Sequence, residues 1–289
     1  MKFSAVVTLQ YDTVFSPFSV QEWKKGLNWM QESGLDGAEL CISHYNGIDI
    51  YAVKEELDKR ALGCSTLSTG QARGLEGLCL SGVPGDVVER TQRRFFDHID
   101  AAAVLGSKVT LGLMRGLGST HNADADLAQL REAMLPIADY AQKKGVTVLL
   151  EPINRYETIL LNSGIEVYDF IVNDLGNPDS IGILWDLFHA NIEDRDFAET
   201  IAKIGPKIKH VHVADSNRAF PGHGHTDFDG IFGLLYRAGF EEYASFECFN
   251  KPSREIVLEE TGAWVGHIRN IRPLEYSTSG VVCRHLSKI

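Results

Sequence analysis

The run VTVLLE at residues 146–151 consists of five apolar or β-branched residues closed by a glutamate, and Gly145 precedes it. A short apolar run bounded by a glycine is typical of a buried β-strand. Seven further runs of this kind occur along the chain: FSAVVT (3–8), GAELC (37–41), CSTLS (64–68), KVTLGL (108–113), IGILWD (181–186), IKHVHV (208–213) and YASFEC (243–248). The sequence therefore predicts eight strands.

The segments between these runs have helical character. Glycines follow the helical stretches and precede the strands, at Gly34, Gly63, Gly106, Gly145, Gly176, Gly205 and Gly239. Glycine commonly ends helices because it adopts the left-handed conformation without a Cβ clash. Ser19 with Glu22 and Ser163 with Glu166 fit capping boxes, and Asp86 precedes an amphipathic run. Seven helix-to-strand returns are expected.

Strict alternation of strands and helices predicts a single (β/α)8 TIM barrel. Thr8 and Glu247 are 239 residues apart, about 34 for each of seven steps, which suits a βα unit. No G-x-G-x-x-G follows the first strand to indicate a dinucleotide-binding fold. We assign residues 1–274 to the barrel domain. Within it, we expect residues 69–86 to form a glycine-rich loop without a helix. Residues 275–289 are predicted to be a C-terminal tail, either disordered or packed on a partner subunit.

The composition disfavours two classes of binding partner, nucleic acids and anionic membranes. Asp and Glu number 39 against 28 Lys and Arg, and the net charge of −11 disfavours nucleic acid and anionic membrane surfaces. The five cysteines include no C-x-x-C pair, and the N-terminus lacks the apolar core of a signal peptide. We expect a cytoplasmic protein that acts on a small molecule; a homo-oligomer is compatible with the sequence.

Four consecutive strands end in residues that can bind a metal: Glu151, Asp186, His212 and Glu247. Active sites of TIM barrels lie at the carboxyl ends of the strands, and neighbouring strands are only about 5 Å apart. The four side chains should therefore converge. Separate helix caps and surface ion pairs are the alternative, but three carboxylates placed together repel one another unless a cation neutralises them.

Three carboxylates, one imidazole and no thiolate favour one divalent ion, Mn²⁺, Mg²⁺ or Co²⁺, over a closed structural zinc site. Such an ion polarises a carbonyl and makes the neighbouring C–H acidic. Glu151 and Glu247 are then the candidate acid/base pair, one on each face of a flat enediolate. Arg115, in a loop after the fourth strand, is a candidate for binding an acidic end of the substrate.

The chain resembles the sugar isomerase/epimerase superfamily of xylose-isomerase-like TIM barrels, most closely ketose 3-epimerases of the D-tagatose/D-psicose and 5-keto-L-gluconate type. The resemblance rests on EPINRYET (151–158), ILWDLFHANIED (183–194), HVHVADSNR (210–218), PGHGHTDF (221–228), FEC (246–248), TGQARGLEGLCLS (69–81) and LGLMRG (111–116). It implies the same four metal ligands, Mn²⁺ as the ion, and the same two glutamates as acid and base.

The resemblance also implies that Glu157, His189 and Arg218 hold substrate oxygens. For His189 a packing role is the alternative, and Arg218 could instead pair with Asp215. His210, two residues before His212, is interpreted as a histidine that is packed inside the barrel or that contacts a metal ligand from behind. These residues lie on the quoted motifs.

The function predicted is inversion at C3 of a ketose or ketouronate by proton abstraction and return through a cis-enediolate. An aldose–ketose isomerase, of the kind that acts on hydroxypyruvate, and a sugar or cyclitol dehydratase would use similar ligands. An endonuclease IV-like phosphodiesterase is a remote alternative, because that chemistry needs more histidines and an affinity for DNA that the net charge opposes. A barrel that binds a sugar without catalysing a reaction is a second remote alternative.

Overall fold

In the computed structural model, which describes residues 1–271, eight parallel strands close into a barrel in sequence order, with β8 paired to β1. The strands are β1 (Lys2–Thr8), β2 (Gly37–Cys41), β3 (Gly63–Ser68), β4 (Lys108–Leu111), β5 (Val148–Leu150), β6 (Ile181–Asp186), β7 (Ile208–Val213) and β8 (Tyr243–Phe246). The predicted (β/α)8 barrel is confirmed. Residues 272–274 of the predicted barrel and the predicted tail, 275–289, lie outside the described residues.

Ten α-helices lie around the strands within residues 1–271. They are α1 (Trp23–Glu32), α2 (Ile50–Asp58), α3 (Gln71–Glu76), α4 (Gly85–Leu105), α5 (Ala123–Lys144), α6 (Gly164–Asp169), α7 (Leu187–Glu193), α8 (Phe197–Ile204), α9 (Phe228–Arg237) and α10 (Arg254–Arg269). Short 3-10 turns occupy Val20–Glu22, Leu113–Arg115 and Gly205–Lys207, and a π-helical turn, Phe170–Asp174, extends α6. In residues 1–271 we find no helix with both the length and the apolar composition that crossing a lipid bilayer requires.

The core lies between the strands and the helices that cover them. Trp185 on β6 is fully buried, its ring meets Phe197 edge-on at 5.4 Å, and its indole N–H donates to Asp194. The barrel interior carries buried hydroxyl pairs, such as Ser4 with Ser65 at 2.9 Å. Each hydroxyl of such a pair thereby has a hydrogen-bond partner although it is buried.

Pairing of β6 with β7 sets Asp186 directly opposite His212, and pairing of β7 with β8 sets His212 opposite Ser245. Glu151 and Glu247 each directly follow a strand, β5 and β8. The register thus brings the ends of four adjacent strands to one rim of the barrel.

Most of the predicted helix stops are confirmed. Five of the seven predicted glycines have positive φ, Gly145 among them at +65°. Gly205 instead has φ −46° and begins a 3-10 turn, and Gly63 is the first residue of β3. Ala61, with φ +55°, takes the left-handed position before β3, which the glycine pattern alone did not indicate.

Two local predictions are wrong. The Ser19 hydroxyl donates to the Glu22 carboxylate and caps no backbone N–H, so the capping box there does not form, whereas the one at Ser163 and Glu166 does. The segment 69–86 contains α3, which Gly70 and Gly77 cap at its two ends and which tolerates Gly74 inside it, and α4 already begins at Gly85.

Candidate metal centre and pocket

The four predicted metal ligands converge at the barrel rim. One donor atom from each of Glu151, Asp186, His212 and Glu247 lies within 4.8 Å of the others. His212 is central: its Nδ1 is 3.4 Å from Glu247 Oε2, 3.6 Å from Glu151 Oε1 and 3.9 Å from Asp186 Oδ2. The predicted constellation is therefore present as a geometric cluster.

Two atoms of this cluster lack partners, although they are buried. Asp186 Oδ2 and His212 Nδ1 make no hydrogen bond, while the other Asp186 oxygen accepts the Phe188 N–H at 2.7 Å. A buried polar atom without a partner costs about 1–3 kcal/mol. A divalent cation would satisfy both atoms at once, and three carboxylates with one imidazole are a donor set that such ions accept. The residues present fit a metal ion.

The pKa shifts within the cluster also indicate a site that needs positive charge. Burial is the largest influence on Glu151 and raises its pKa, although His212 acts in the opposite direction. Burial also disfavours the charged forms of Asp186 and His212, but neighbouring opposite charges outweigh it, lowering the pKa of Asp186 and raising that of His212. The raised pKa values of Glu151 and His212 mean that, without a cation, these two residues tend to keep their protons, and these protons offset the negative charge of the carboxylates.

A cavity of about 600 Å³ opens above the cluster. Glu157, His189 and Arg218, the three residues assigned to substrate oxygens by resemblance, all line it. Its walls also include the aromatic rings of Phe15, Phe188 and Phe249. Pockets for small ligands commonly combine apolar walls with a few convergent polar groups, as this one does.

Arg218 is held firmly within the pocket. Its guanidinium carbon lies 4.7 Å from the ring centres of both Phe15 and Phe188, and one nitrogen is 2.7 Å from Glu247 Oε2. Its φ of +60° is a left-handed conformation that non-glycine residues seldom adopt and that is often retained at functional sites. The alternative pairing with Asp215 is not formed, because Asp215 accepts backbone N–H groups instead.

His189 presents one ring nitrogen to the pocket. Its Nδ1 lies 2.7 Å from the amide nitrogen of Asn154, and its Nε2 lies 3.5 Å from Arg218 Nη1. Both of these groups can only donate, and the much shorter contact assigns the lone pair to Nδ1 and the proton to Nε2. Nε2 is 3.6 Å from Asp186 Oδ2 and 3.9 Å from Glu151 Oε1. His189 is thereby oriented as a donor toward the cluster; Asn154, within EPINRYET, is a residue that sequence reasoning missed.

The loop that carries Arg218 is organised by one carboxylate. Buried Asp215 accepts N–H bonds from Ser216, Gly222, Gly224 and Thr226, at 2.7 to 3.1 Å. Burial alone would raise the pKa of Asp215, but these four bonds outweigh it and lower the pKa. The charge of Asp215 thus stabilises the folded loop.

Replacing Asp215 by Asn should destabilise the protein by about 1–3 kcal/mol at pH 7, because an NH₂ group would face backbone donors. Since the folded pKa lies below the unfolded value of about 3.9, the stabilisation by the wild-type carboxylate is complete above that value and is lost as the pH falls. Urea unfolding at pH 7 and near pH 3 should show the difference shrinking in acid. An equal difference at both pH values would contradict this role of the charge.

The prediction that Arg115 binds an acidic end of the substrate is wrong. Its side chain is fully buried and does not line the pocket, because the 3-10 turn after β4 directs it into the protein. Its guanidinium donates to the backbone carbonyl of Glu151. Burial lowers the pKa of Arg115 to about 10. The residue contacts the chain that carries a candidate ligand, not the space for substrate.

Glu39 on β2 was also missed. It is fully buried, and its carboxylate lies 3.2 Å from His210 Nε2 and 3.1 Å from His212 Nε2. Burial would raise the pKa of Glu39, but the two histidines outweigh burial and hold it well below its usual range. A charged residue in the middle of the apolar run GAELC was the available signal. The prediction that His210 is packed is confirmed.

Comparisons with known proteins agree with this geometry. The family model described as Xylose isomerase-like TIM barrel matches residues 27–272. A ketose 3-epimerase of Arthrobacter globiformis is 28% identical over 269 residues, covering 92% of this chain and 88% of the relative. An L-ribulose 3-epimerase of Mesorhizobium japonicum is 39% identical over 262 residues, covering 89% and 85%. Both names denote carbohydrate epimerases, a class of isomerases, as the sequence led us to expect.

Among solved structures, a D-psicose 3-epimerase from Clostridium cellulolyticum H10, determined with D-tagatose, superposes with a TM-score of 0.78. It is 18% identical, and the match covers 94% of this chain and 99% of that chain, so it supports the shared fold. The family match, by contrast, extends over most of the sequence and over all four strands that carry the cluster. The chain therefore belongs to the xylose isomerase-like TIM barrel family.

Proposed function

We propose that the protein is a divalent-metal-dependent epimerase that inverts C3 of a ketose or ketouronate. The observation that carries this proposal is the cluster of Glu151, Asp186, His212 and Glu247, with two buried atoms that lack partners. All of these residues except Asp186 line the pocket. The 3-epimerase names of the two relatives support the carbon at which the reaction takes place. They also favour a ketose as substrate.

The four clustered residues would hold the ion. Carboxylate oxygens and one imidazole, without thiolate, suit Mn²⁺, Mg²⁺ or Co²⁺, and the family resemblance favours Mn²⁺ among them. When bound, a divalent ion supplies Lewis acidity to the oxygens of the substrate, which makes the C3 proton easier to remove. The remaining chemistry belongs to side chains of the chain itself.

Glu151 and Glu247 are the proposed acid/base pair. They follow β5 and β8 and lie on either side of His212, at 3.6 and 3.4 Å from its Nδ1. One carboxylate takes the proton from C3, the electron pair moves toward the C2 carbonyl to form a cis-enediolate, and the other glutamate returns a proton to the opposite face. A carboxylate within reach of the C3 proton can act as the general base, and the matching carboxylic acid can return a proton.

Three residues would orient the sugar. Arg218, fixed between two rings, and His189, with its Nε2 proton toward the cluster, are donors placed to bind substrate oxygens. Glu157 lies 3.6 Å from Arg218 and is a hydroxyl acceptor on the pocket wall. Donors that are already oriented stabilise developing negative charge at little cost in reorganisation.

The test is an NMR screen of ketohexoses, ketopentoses and ketouronates in D₂O, with metal-reconstituted protein. We expect deuterium to enter at C3 and the C3 epimer to accumulate, because solvent exchanges with the proton held on a glutamate. Label at C1 or C2 with formation of an aldose would indicate an isomerase instead, and loss of water would indicate a dehydratase. Sugar binding without exchange or turnover across the panel would contradict an enzymatic role.

A further inference from the structure

The Glu39 carboxylate lies inside the barrel, below the candidate metal centre, and has an exposed fraction of 0%. A buried carboxylate persists only when hydrogen bonds and opposite charge compensate for lost hydration. Ser68 donates its hydroxyl to Oε1, and His210 Nε2 lies 3.2 Å from Oε2. Partners from β3 and β7 therefore hold the Glu39 carboxylate on β2 in one orientation.

His212 joins this carboxylate to the metal centre. Its Nε2 lies 3.1 and 3.2 Å from the two Glu39 oxygens, whereas its Nδ1 faces Glu151, Asp186 and Glu247. A neutral imidazole carries one proton, and a carboxylate can only accept it. With that proton on Nε2, the lone pair of Nδ1 is directed at the three carboxylates.

A second ion among Glu39, His210 and His212 is the alternative, since their donor atoms also lie close together. The hydrogen bonding argues against it. Both Glu39 oxygens have partners, while the atoms without partners at the rim, His212 Nδ1 and Asp186 Oδ2, belong to the other cluster. In the lower cluster the buried atom without a partner is His210 Nδ1, which is not the ring nitrogen that contacts Glu39, so the Glu39 carboxylate itself is fully hydrogen-bonded.

We propose that Glu39 is a positioning residue, which fixes the Nε2–H tautomer and the ring orientation of His212 so that Nδ1 is presented to the divalent ion. The inference rests on the proposed metal-dependent function. Groups that hold the second nitrogen of a ligating histidine typically contribute about 10- to 100-fold to metal affinity. Glu39 extends the centre to a strand that carries none of the four candidate ligands.

The experiment compares Mn²⁺ binding by the wild type, Glu39→Gln and Ser4→Ala, with free Mn²⁺ followed by electron paramagnetic resonance. Ser4→Ala is the matched control, because it removes a buried hydrogen bond of the barrel, to Ser65, without contacting His212. We expect Glu39→Gln to bind Mn²⁺ about 10- to 100-fold more weakly and Ser4→Ala to bind it as the wild type does. Thermal melts of the metal-free proteins report fold stability separately.

Wild-type affinity in Glu39→Gln, whatever its melting temperature, would overturn the positioning role and leave the proposed function standing. Absence of Mn²⁺ binding by the wild type would refute the metal centre and this inference with it. A second measurement does not depend on the folding of a variant: ¹⁵N-histidine NMR of the wild type with diamagnetic Mg²⁺. We expect a protonated Nε2 and an unprotonated Nδ1 on His212, and the reverse assignment would overturn the proposal.

Discussion

Glu151→Gln and Glu247→Gln should each lose C3 epimerisation by about 10²–10⁴-fold, because glutamine cannot take or return a proton. Both side chains lie against His212 at the floor of the pocket, so the change from carboxylate to amide preserves shape and removes basicity. The rate of epimerisation, followed by NMR from each pure epimer, measures the loss. Both variants should remain folded, since neither residue lies in a strand or helix.

The two variants should differ in the partial reaction. If each glutamate serves one face of the enediolate, the variant that retains one of them can still exchange the C3 hydrogen of the epimer presented to that face. Deuterium should therefore enter one epimer in Glu151→Gln and the other epimer in Glu247→Gln. Exchange from the same epimer in both variants would contradict the division of faces.

The control is Glu193→Gln. Glu193 is a glutamate near the same rim that pairs with Arg155 at 2.6 Å and does not line the pocket. We expect wild-type epimerisation from it. Mn²⁺ binding is measured for all three variants, because a loss of activity with intact metal binding is assigned to proton transfer, whereas a parallel loss of both is assigned to the ligand role.

The pattern of strands along the sequence was enough to predict both the fold and the four clustered residues. In a parallel barrel every strand ends at one rim, so the location of a polar residue that closes an apolar run, as Asp186 closes IGILWD, follows from the strand pattern alone. Because consecutive strands of the barrel are also adjacent in space, polar residues that close consecutive strands lie next to one another. Glu151, His212 and Glu247 follow from the same geometry.

Residues whose position depends on loop conformation could not be placed in this way. Arg115 follows β4 and was expected at the rim, yet the 3-10 turn that carries it directs its guanidinium to the Glu151 carbonyl. Spacing along the chain contains no information about that direction. Glu39 was missed for a different reason: it sits within a strand, where its partners come from β7, and sequence alone does not identify contacts across the barrel.

Removal of the divalent ion should abolish epimerisation and lower stability together. Buried carboxylates that share one site repel one another when ionised, and an ion that binds only the folded state adds RT ln(1 + [L]/Kd), about 2.7 kcal/mol at a concentration of 100 Kd. Melting in chelator should therefore occur at a lower temperature than melting with saturating Mn²⁺. Activity and melting temperature should rise over the same range of Mn²⁺ concentration, because one site governs both.

Asp186→Asn separates this effect from general stabilisation by salt. Asn can still accept the Phe188 N–H at the start of α7, as Asp186 Oδ1 does, so the helix cap is kept while one anionic ligand is lost. The variant should fold and should show little or no rise in melting temperature with Mn²⁺. Because His189 and Arg218 lie 3.6 and 3.7 Å from Asp186 Oδ2 and help to lower the pKa of Asp186, loss of the charge should also lower the stability of the metal-free variant. The Mn²⁺ response of the variant is therefore measured against its own metal-free melting temperature. Full turnover of the wild type in chelator, or an equal Mn²⁺ response in Asp186→Asn, would count against a metal centre at these four residues.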